Sequence, residues 1–139
     1  METNSSTRLD PEQVRRAFTA LEAGDGSHFF DHVAADVDWT VEGTHPLAGR
    51  YHTKQELRQR TFDRLSRVLP GGAHLRVTHV LLSGDWAVVE LESRTTARNG
   101  LPFDNHYCWL TRFEGGKIVE VRAYLDSALV QRVLDENRA

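Results

Sequence analysis

The 139-residue chain carries 17 basic and 20 acidic residues, a formal net charge of −3 and a pI near 6.1, with 40% hydrophobic and 27% charged residues. That is the composition of one core-forming domain rather than of a disordered tail, and its balance of charge excludes a global pull toward nucleic acid or an anionic membrane. Cys108 is the single cysteine, which excludes an intrachain disulfide and a cysteine-only metal cage. No apolar run approaches the roughly 20 residues that cross a bilayer, and the polar Met1–Arg8 segment has no hydrophobic stretch behind it, so a cytoplasmic chain without a secretory leader is expected.

Residues 1–9 read as a flexible N-terminal tail and residues 10–139 as one domain. Asp10-Pro11 with Gln13 supplies an N-cap, a proline at the first helical position and a capping-box partner. Val14, Phe18 and Leu21 recur at helical spacing until Gly24 stops the helix, and Ser27 caps a second short helix that turns Phe30 and Val33 inward. Val37, Trp39 and Val41 alternate with Asp38 and Thr40 as a half-buried strand. Gly43–Gly49 reads as a loop around His45-Pro46. Thr53 and Glu56 form a second capping box for a long amphipathic helix striped by Leu57, Phe62, Leu65 and Leu69 and closed by Pro70-Gly71-Gly72. Period-two segments then run over residues 74–82, 86–97, 103–113 and 118–125, punctuated by glycine turns, as a four-strand meander. Asp126 caps a last helix carrying Leu129, Val130, Val133 and Leu134. Helices segregated from an antiparallel sheet make an α+β domain.

The order of these elements, with Ala23-Gly24-Asp25, His45-Pro46-Leu47-Ala48-Gly49, Gly116-Lys117-Ile118-Val119-Glu120 and Tyr124-Leu125-Asp126, resembles the nuclear-transport-factor-2-like superfamily. Within it, the chain is most similar to SnoaL-like proteins, relatives of ketosteroid isomerase. The resemblance covers about residues 10–135 and implies a cone-shaped, curved, mostly antiparallel sheet wrapped around a long helix, often dimeric. It implies a fold far more than an activity, because one fold hosts many chemistries.

Residue by residue, the known mechanisms of the superfamily lose most of their parts in this chain. The ketosteroid isomerase tyrosine falls at Ala17, its general-base aspartate at or beside Val41, and its oxyanion-hole acid near Trp109. The aspartate of SnoaL-type cyclases falls at Ala123. In limonene-type epoxide hydrolases the last-strand acid again falls at Ala123, the water-positioning tyrosine and asparagine at Trp39 and Val41, and the paired arginine and aspartate at Glu90 and Glu92.

The register borrowed from the resemblance turns Trp86, Val88, Glu90, Glu92 and Arg94 inward, with Asn105, Tyr107 and Trp109 on the next strand and Val37, Trp39 and Val41 on the first. Glu90 and Glu92 then lie about 7 Å apart on one face, where one carboxyl with a raised pKa would serve as acid or base and Arg94 as its electrostatic partner. The expected catalytic group is therefore Glu92, Glu90 and Arg94, and the expected ligand-binding residues are Trp39, Val41, His45, Val88, Asn105, Tyr107, Trp109 and Ala123. A Glu-x-Glu-x-Arg strip is equally the pattern of a solvated ion-pair network, the commoner fate of charged side chains. His28 and His32 form the one helical i, i+4 histidine pair but lack a third ligand, so no metal is expected. The basic strip Arg58, Arg60, Arg64 and Arg67 alternates with Glu56 and Asp63 and reads as helix-surface ion pairs.

These observations favour a cofactor-independent domain that binds a small, largely apolar organic molecule of polyketide or terpenoid kind. If catalytic, it works by acid–base chemistry as an isomerase, cyclase or hydrolase. The alternative is a non-catalytic binding or dimer-scaffold protein of the same fold. A homodimer is expected, with Ala87, Val89 and Leu91 turned outward toward the partner, and no nucleic-acid or membrane partner.

Overall fold

The structure, a computed structural model, describes residues 9–23 and 26–137. Helix α1 (Pro11–Phe18) starts as its sequence dictates: the Gln13 amide donates to Asp10 Oδ1 at 2.8 Å, a cap that contributes about 1 kcal/mol. It buries Val14, Ala17 and Phe18 and runs into a 3₁₀ turn, Thr19–Ala23. Leu9, counted with the tail, instead packs into the main core, while the rest of that segment and the helix stop at Gly24 lie outside the described residues. Helix α2 (Gly26–Phe30) begins ahead of Ser27 and buries Phe29 and Phe30.

Strand β1 (Val33–Val41) is longer than its alternating core suggests, because a register irregularity against β8 between Val33 and Asp38 breaks the period-two pattern over Ala34–Asp36. Strand β2 (Gly49–Tyr51), which starts at the last residue of the segment read as loop and was not expected, pairs Tyr51 with Trp39 and Gly49 with Val41. Three residues are too few to carry a strand signature. Helix α3 follows in three continuous parts: an α segment Lys54–Leu57, a π turn Arg58–Phe62 and an α segment Asp63–Val68. The remaining strands are β3 (Leu75–Ser83), β4 (Trp86–Ser93), the short pair β5 (Thr95–Thr96) and β6 (Pro102–Phe103), β7 (His106–Glu114) and β8 (Lys117–Leu125), before α4 (Ser127–Glu136) capped by Asp126.

The six-stranded sheet has the order β2-β1-β8-β7-β4-β3, with only β1 and β8 parallel, and its irregularities curve it around α3. Its concave face is set by register. Val41 pairs with Ala123, Ala123 with Trp109, and Trp109 with Val89; Tyr107 pairs with Leu91, and all of these side chains are buried. A second apolar cluster, Leu47, Val68, Leu69, Phe103, Val130 and Val133, fixes α4 across one end of the cone.

The same register corrects the expectation for β4. Ala87, Val89 and Leu91 point into the core at 0–2% exposure, so they are not a partner-facing row. Trp86, Val88, Glu90, Glu92 and Arg94 occupy the convex face, Glu90 opposite Cys108 and Val88 opposite Leu110. The physical reason is the hydrophobic gain from burying an unbroken Ala-Val-Leu row, which a row holding two carboxylates and a guanidinium cannot match.

Candidate active site: an aromatic cavity between the sheet and the long helix

Seven rings meet under the concave face: Phe18, Phe29, Phe30, Trp39, Phe62, Tyr107 and Trp109, with neighbouring centroids 5.0–6.5 Å apart and mostly tilted or edge-to-face. Each such pair adds about 0.5–1.5 kcal/mol beyond the area it buries. The rings come from separate elements, and local chemistry fixes each. Lys54 Nζ donates to the carbonyls of Phe30 and Val33 at 2.8 and 3.1 Å, tying the end of α2 to the start of α3 and holding Phe30 in place. Trp39 and Trp109 are presented by the pleat of β1 and β7 and stand 5.2 Å apart.

Phe62 is aimed by the π turn, in which the Asp63 amide donates to Arg58 O and Thr61 Oγ1 donates to Leu57 O at 2.6 Å. Such an insertion shifts the helix face by one residue and is often found at functional positions. It turns Arg58, Thr61 and Phe62 toward a cavity of about 240 Å³, whose other walls include Phe30, Trp39, Val41, Leu47, Tyr107, Trp109, Ala123 and Leu125. This volume suits a small organic molecule, and the lining is dominated by aromatic and aliphatic carbon.

The polar groups of the wall are few. Tyr107 is almost fully buried, and desolvation pushes its phenol pKa far above the ordinary value, so it is a neutral O–H donor at any physiological pH. Among the described residues its hydroxyl has only a 3.5 Å contact with Ser93 Oγ, a group that already donates to Phe103 O at 3.0 Å and accepts from the Asn105 amide at 3.1 Å. Ser93 has one hydrogen and has given it away, so Tyr107 is the donor in that long contact. Trp109 Nε1 is buried with no hydrogen-bond partner among the described residues. Asp63, the one carboxylate on the wall among the described residues, is exposed.

The expected site residues divide accordingly. Trp39, Val41, Tyr107, Trp109 and Ala123 line the cavity together. Val88, Glu90, Glu92 and Arg94 lie on the far face of the sheet. There Glu92 is hydrogen-bonded by Arg76 and stands 3.7 Å from Arg94, and Glu90 is 3.7 Å from His79. The Arg76 guanidinium holds the Glu92 carboxyl below its usual pKa, the opposite of what a general acid needs. Asn105 is buried but structural: its Oδ1 accepts from the amides of His106 and Asp126, tying β7 to the start of α4.

His45 is also buried off the cavity wall. Its Nε2 donates to Glu42 O at 3.0 Å while Nδ1 accepts from the Leu47 amide at 3.2 Å, and burial pushes its pKa down. That clamp depends on Gly43 at φ 114°, where a Cβ would collide with Ser127 Oγ and lie 2.9 Å from the His45 ring. Among the described residues no cluster of three or more His, Cys, Asp or Glu is arranged to hold a metal, and no helix is long and apolar enough to cross a membrane.

Arg58 was not singled out from the rest of its basic strip by sequence. Arg60 makes the expected helix pair, 3.9 Å from Glu56, whereas Arg58 leaves the strip and stacks its guanidinium over Phe30, 4.7 Å from the ring centre. The signal was present in the five-residue gap between Leu57 and Phe62, one longer than an α-helical stripe allows.

Comparison with known proteins agrees with this geometry. The fold matches an NTF2-like protein from Burkholderia thailandensis with a TM-score of 0.76 at 23% identity, covering 88% of this chain and 95% of that one. Among curated proteins, the chain is 30% identical over 119 residues to "Dimerizing cyclase phiC" of a fungal species, covering 83% of this chain and 53% of the relative. It is 29% identical over 140 residues to "Dimerizing cyclase tstC" of Talaromyces stipitatus, covering 98% and 61%. The chain thus spans between half and two thirds of the length of these curated relatives. The family model of the SnoaL-like domain matches residues 14–121. By that match the chain belongs to the SnoaL-like domain family, and its cone around α3 has the fold of the NTF2-like structure.

Proposed function

We propose that this chain is a small-molecule-binding domain of the cyclase and isomerase type, whose cavity takes a small, largely apolar, unsaturated organic molecule of polyketide or terpenoid kind. The observation that carries this reading is the ring-walled cavity of about 240 Å³ beneath the concave sheet. The relatives named dimerizing cyclases support the reaction class. Trp39, Val41, Tyr107, Trp109 and Ala123 contact the ligand, joined by Phe30 and Phe62.

With no buried carboxylate or imidazole on the described walls, the catalytic contribution is positional and electrophilic. Facing rings hold a flexible unsaturated chain in a folded, reactive conformer, and a prepaid encounter of this kind lowers the barrier by several kcal/mol. The neutral Tyr107 O–H, poorly used by Ser93, donates to a carbonyl oxygen as negative charge develops on it. This chemistry calls on no cofactor.

The lack of a buried acid or base also favours a second reading, a non-catalytic carrier of the same ligand. Incubating the protein with a metabolite extract and recording native mass spectra separates these outcomes. A retained small molecule that leaves chemically altered identifies an enzyme, and one that leaves unchanged identifies a carrier. Protein that emerges bare overturns both.

The proposed assembly is a homodimer through the convex face. Leu81 and Tyr124 are 54% and 45% exposed there, beside the half-buried Val88, Cys108 and Leu110. Exposed large apolar side chains grouped on one sheet face mark an interaction surface.

A further inference from the structure

Arg58 occupies an unusual position for a guanidinium. It is half-buried on the wall of a largely apolar cavity, stacked 4.7 Å from the Phe30 ring centre, and within 4.0 Å of no carboxylate among the described residues. Of the neighbouring arginines on α3, Arg60 stands 3.9 Å from Glu56 and Arg64 donates to the Pro46 carbonyl at 3.3 Å. Asp63, five residues on, also lines the cavity, yet it is exposed and does not reach Arg58 within 4.0 Å. Stacking on Phe30 uses the flat face of the guanidinium, and among the described residues no carboxylate pairs with its N–H edge, which is shaped for the two oxygens of a carboxylate.

The placement is built by the π turn. Arg58 and Phe62, four residues apart, share one helix face; the π turn, with Asp63 N–H closing on Arg58 O, shifts that face by one residue relative to Leu57, and both line the cavity. A fixed cation therefore faces a carbon-lined volume, and desolvation in such a setting strengthens its pull on an anion.

Resting on the proposed binding role of this cavity, we infer that its ligand is an unsaturated organic acid, with its carboxylate on Arg58 and its carbon skeleton against Phe30, Trp39 and Phe62. Arg58 thus sets substrate class and orientation, while Tyr107 addresses the reacting oxygen.

The test uses isothermal titration at pH 7 with trans-cinnamate and its neutral amide, cinnamamide, which match in size and unsaturation. The full chain binds cinnamate roughly tenfold or more tightly than cinnamamide, the gain of a charge-assisted bond. In Arg58→Gln the preference vanishes while cinnamamide binding is kept; Arg58→Lys, which keeps the charge but not the fork, retains part of it. Equal affinity of the unmodified protein for the two probes overturns the assignment of Arg58 and leaves the cavity reading standing, as does an undiminished preference in a folded Arg58→Gln. Failure of both probes to bind overturns the cavity reading and this inference with it. The comparison on the unmodified protein decides the matter even if a variant does not fold.

Discussion

Val89 of β4 stands directly opposite Trp109 of β7, and both side chains are buried in the concave face. Because side chains alternate along a strand, this one pairing sends Glu90 and Glu92 to the other side of the sheet. Glu90→Gln and Glu92→Gln are therefore expected to leave ligand affinity and any turnover within about twofold of the unmodified protein, a change too small to reflect a transition-state contact. Stability behaves differently for Glu92. Arg76 depresses its pKa in the folded state, so its contribution is present above the normal carboxylate pKa and fades as pH falls through the lowered one. Thermal melts of Glu92→Gln should show a small loss at pH 7 and none in strong acid.

Tyr107 separates function from stability. Its hydroxyl makes one long contact of 3.5 Å, so Tyr107→Phe should lower stability by less than about 1 kcal/mol. Binding of a carbonyl-bearing ligand should nonetheless weaken, and any kcat should fall by about a hundredfold to a thousandfold, the range seen when one oxyanion donor is removed. Melts and turnover measured on the same variant check both halves.

His45 is expected to act as a pH-sensitive clamp on stability rather than as a catalyst. Burial lowers its folded-state pKa, so its stabilising contribution is complete above about 6.5, the ordinary value, and is lost as pH drops through the lowered one. The unmodified protein should therefore lose thermal stability between pH 7 and pH 5. His45→Ala should be less stable at pH 7 but flatter across that interval, read by differential scanning calorimetry.

The convex face is testable on its own. Leu81→Asp combined with Tyr124→Ser places charge and polarity on its two exposed large apolar residues. Light scattering after size exclusion should report a dimer for the unmodified chain at micromolar concentration and a monomer for the double variant. A monomer in both removes the dimer.

Much of this architecture was legible without coordinates, since caps and alternation are local properties. Asp10, Thr53 and Asp126 all cap the helices expected of them, and Trp39, Tyr107 and Trp109 turn inward as their alternation suggests. On β4 the local pattern pointed correctly, with Ala87, Val89 and Leu91 forming an unbroken apolar row, but a register carried over from distant relatives reversed it. A one-residue slip inverts a whole strand, so functional positions transferred by resemblance are most fragile there. Arg58 was hidden for another reason: a π turn is signalled by a single five-residue gap, and which way the freed guanidinium points depends on Phe30, 28 positions away in sequence.

The three tryptophans offer the most direct test of the central claim. Trp39 and Trp109 line the cavity, while Trp86 lies on the opposite face beneath Arg122, 5.7 Å from its ring centre. Titrating the Trp86→Phe protein with 2-naphthol should quench the remaining fluorescence saturably. Ala123→Leu in the same background fills the cavity wall and should weaken that binding about tenfold or more while the fold is kept. Quenching that never saturates, or that is unchanged by Ala123→Leu, would contradict a ligand site within the aromatic cavity.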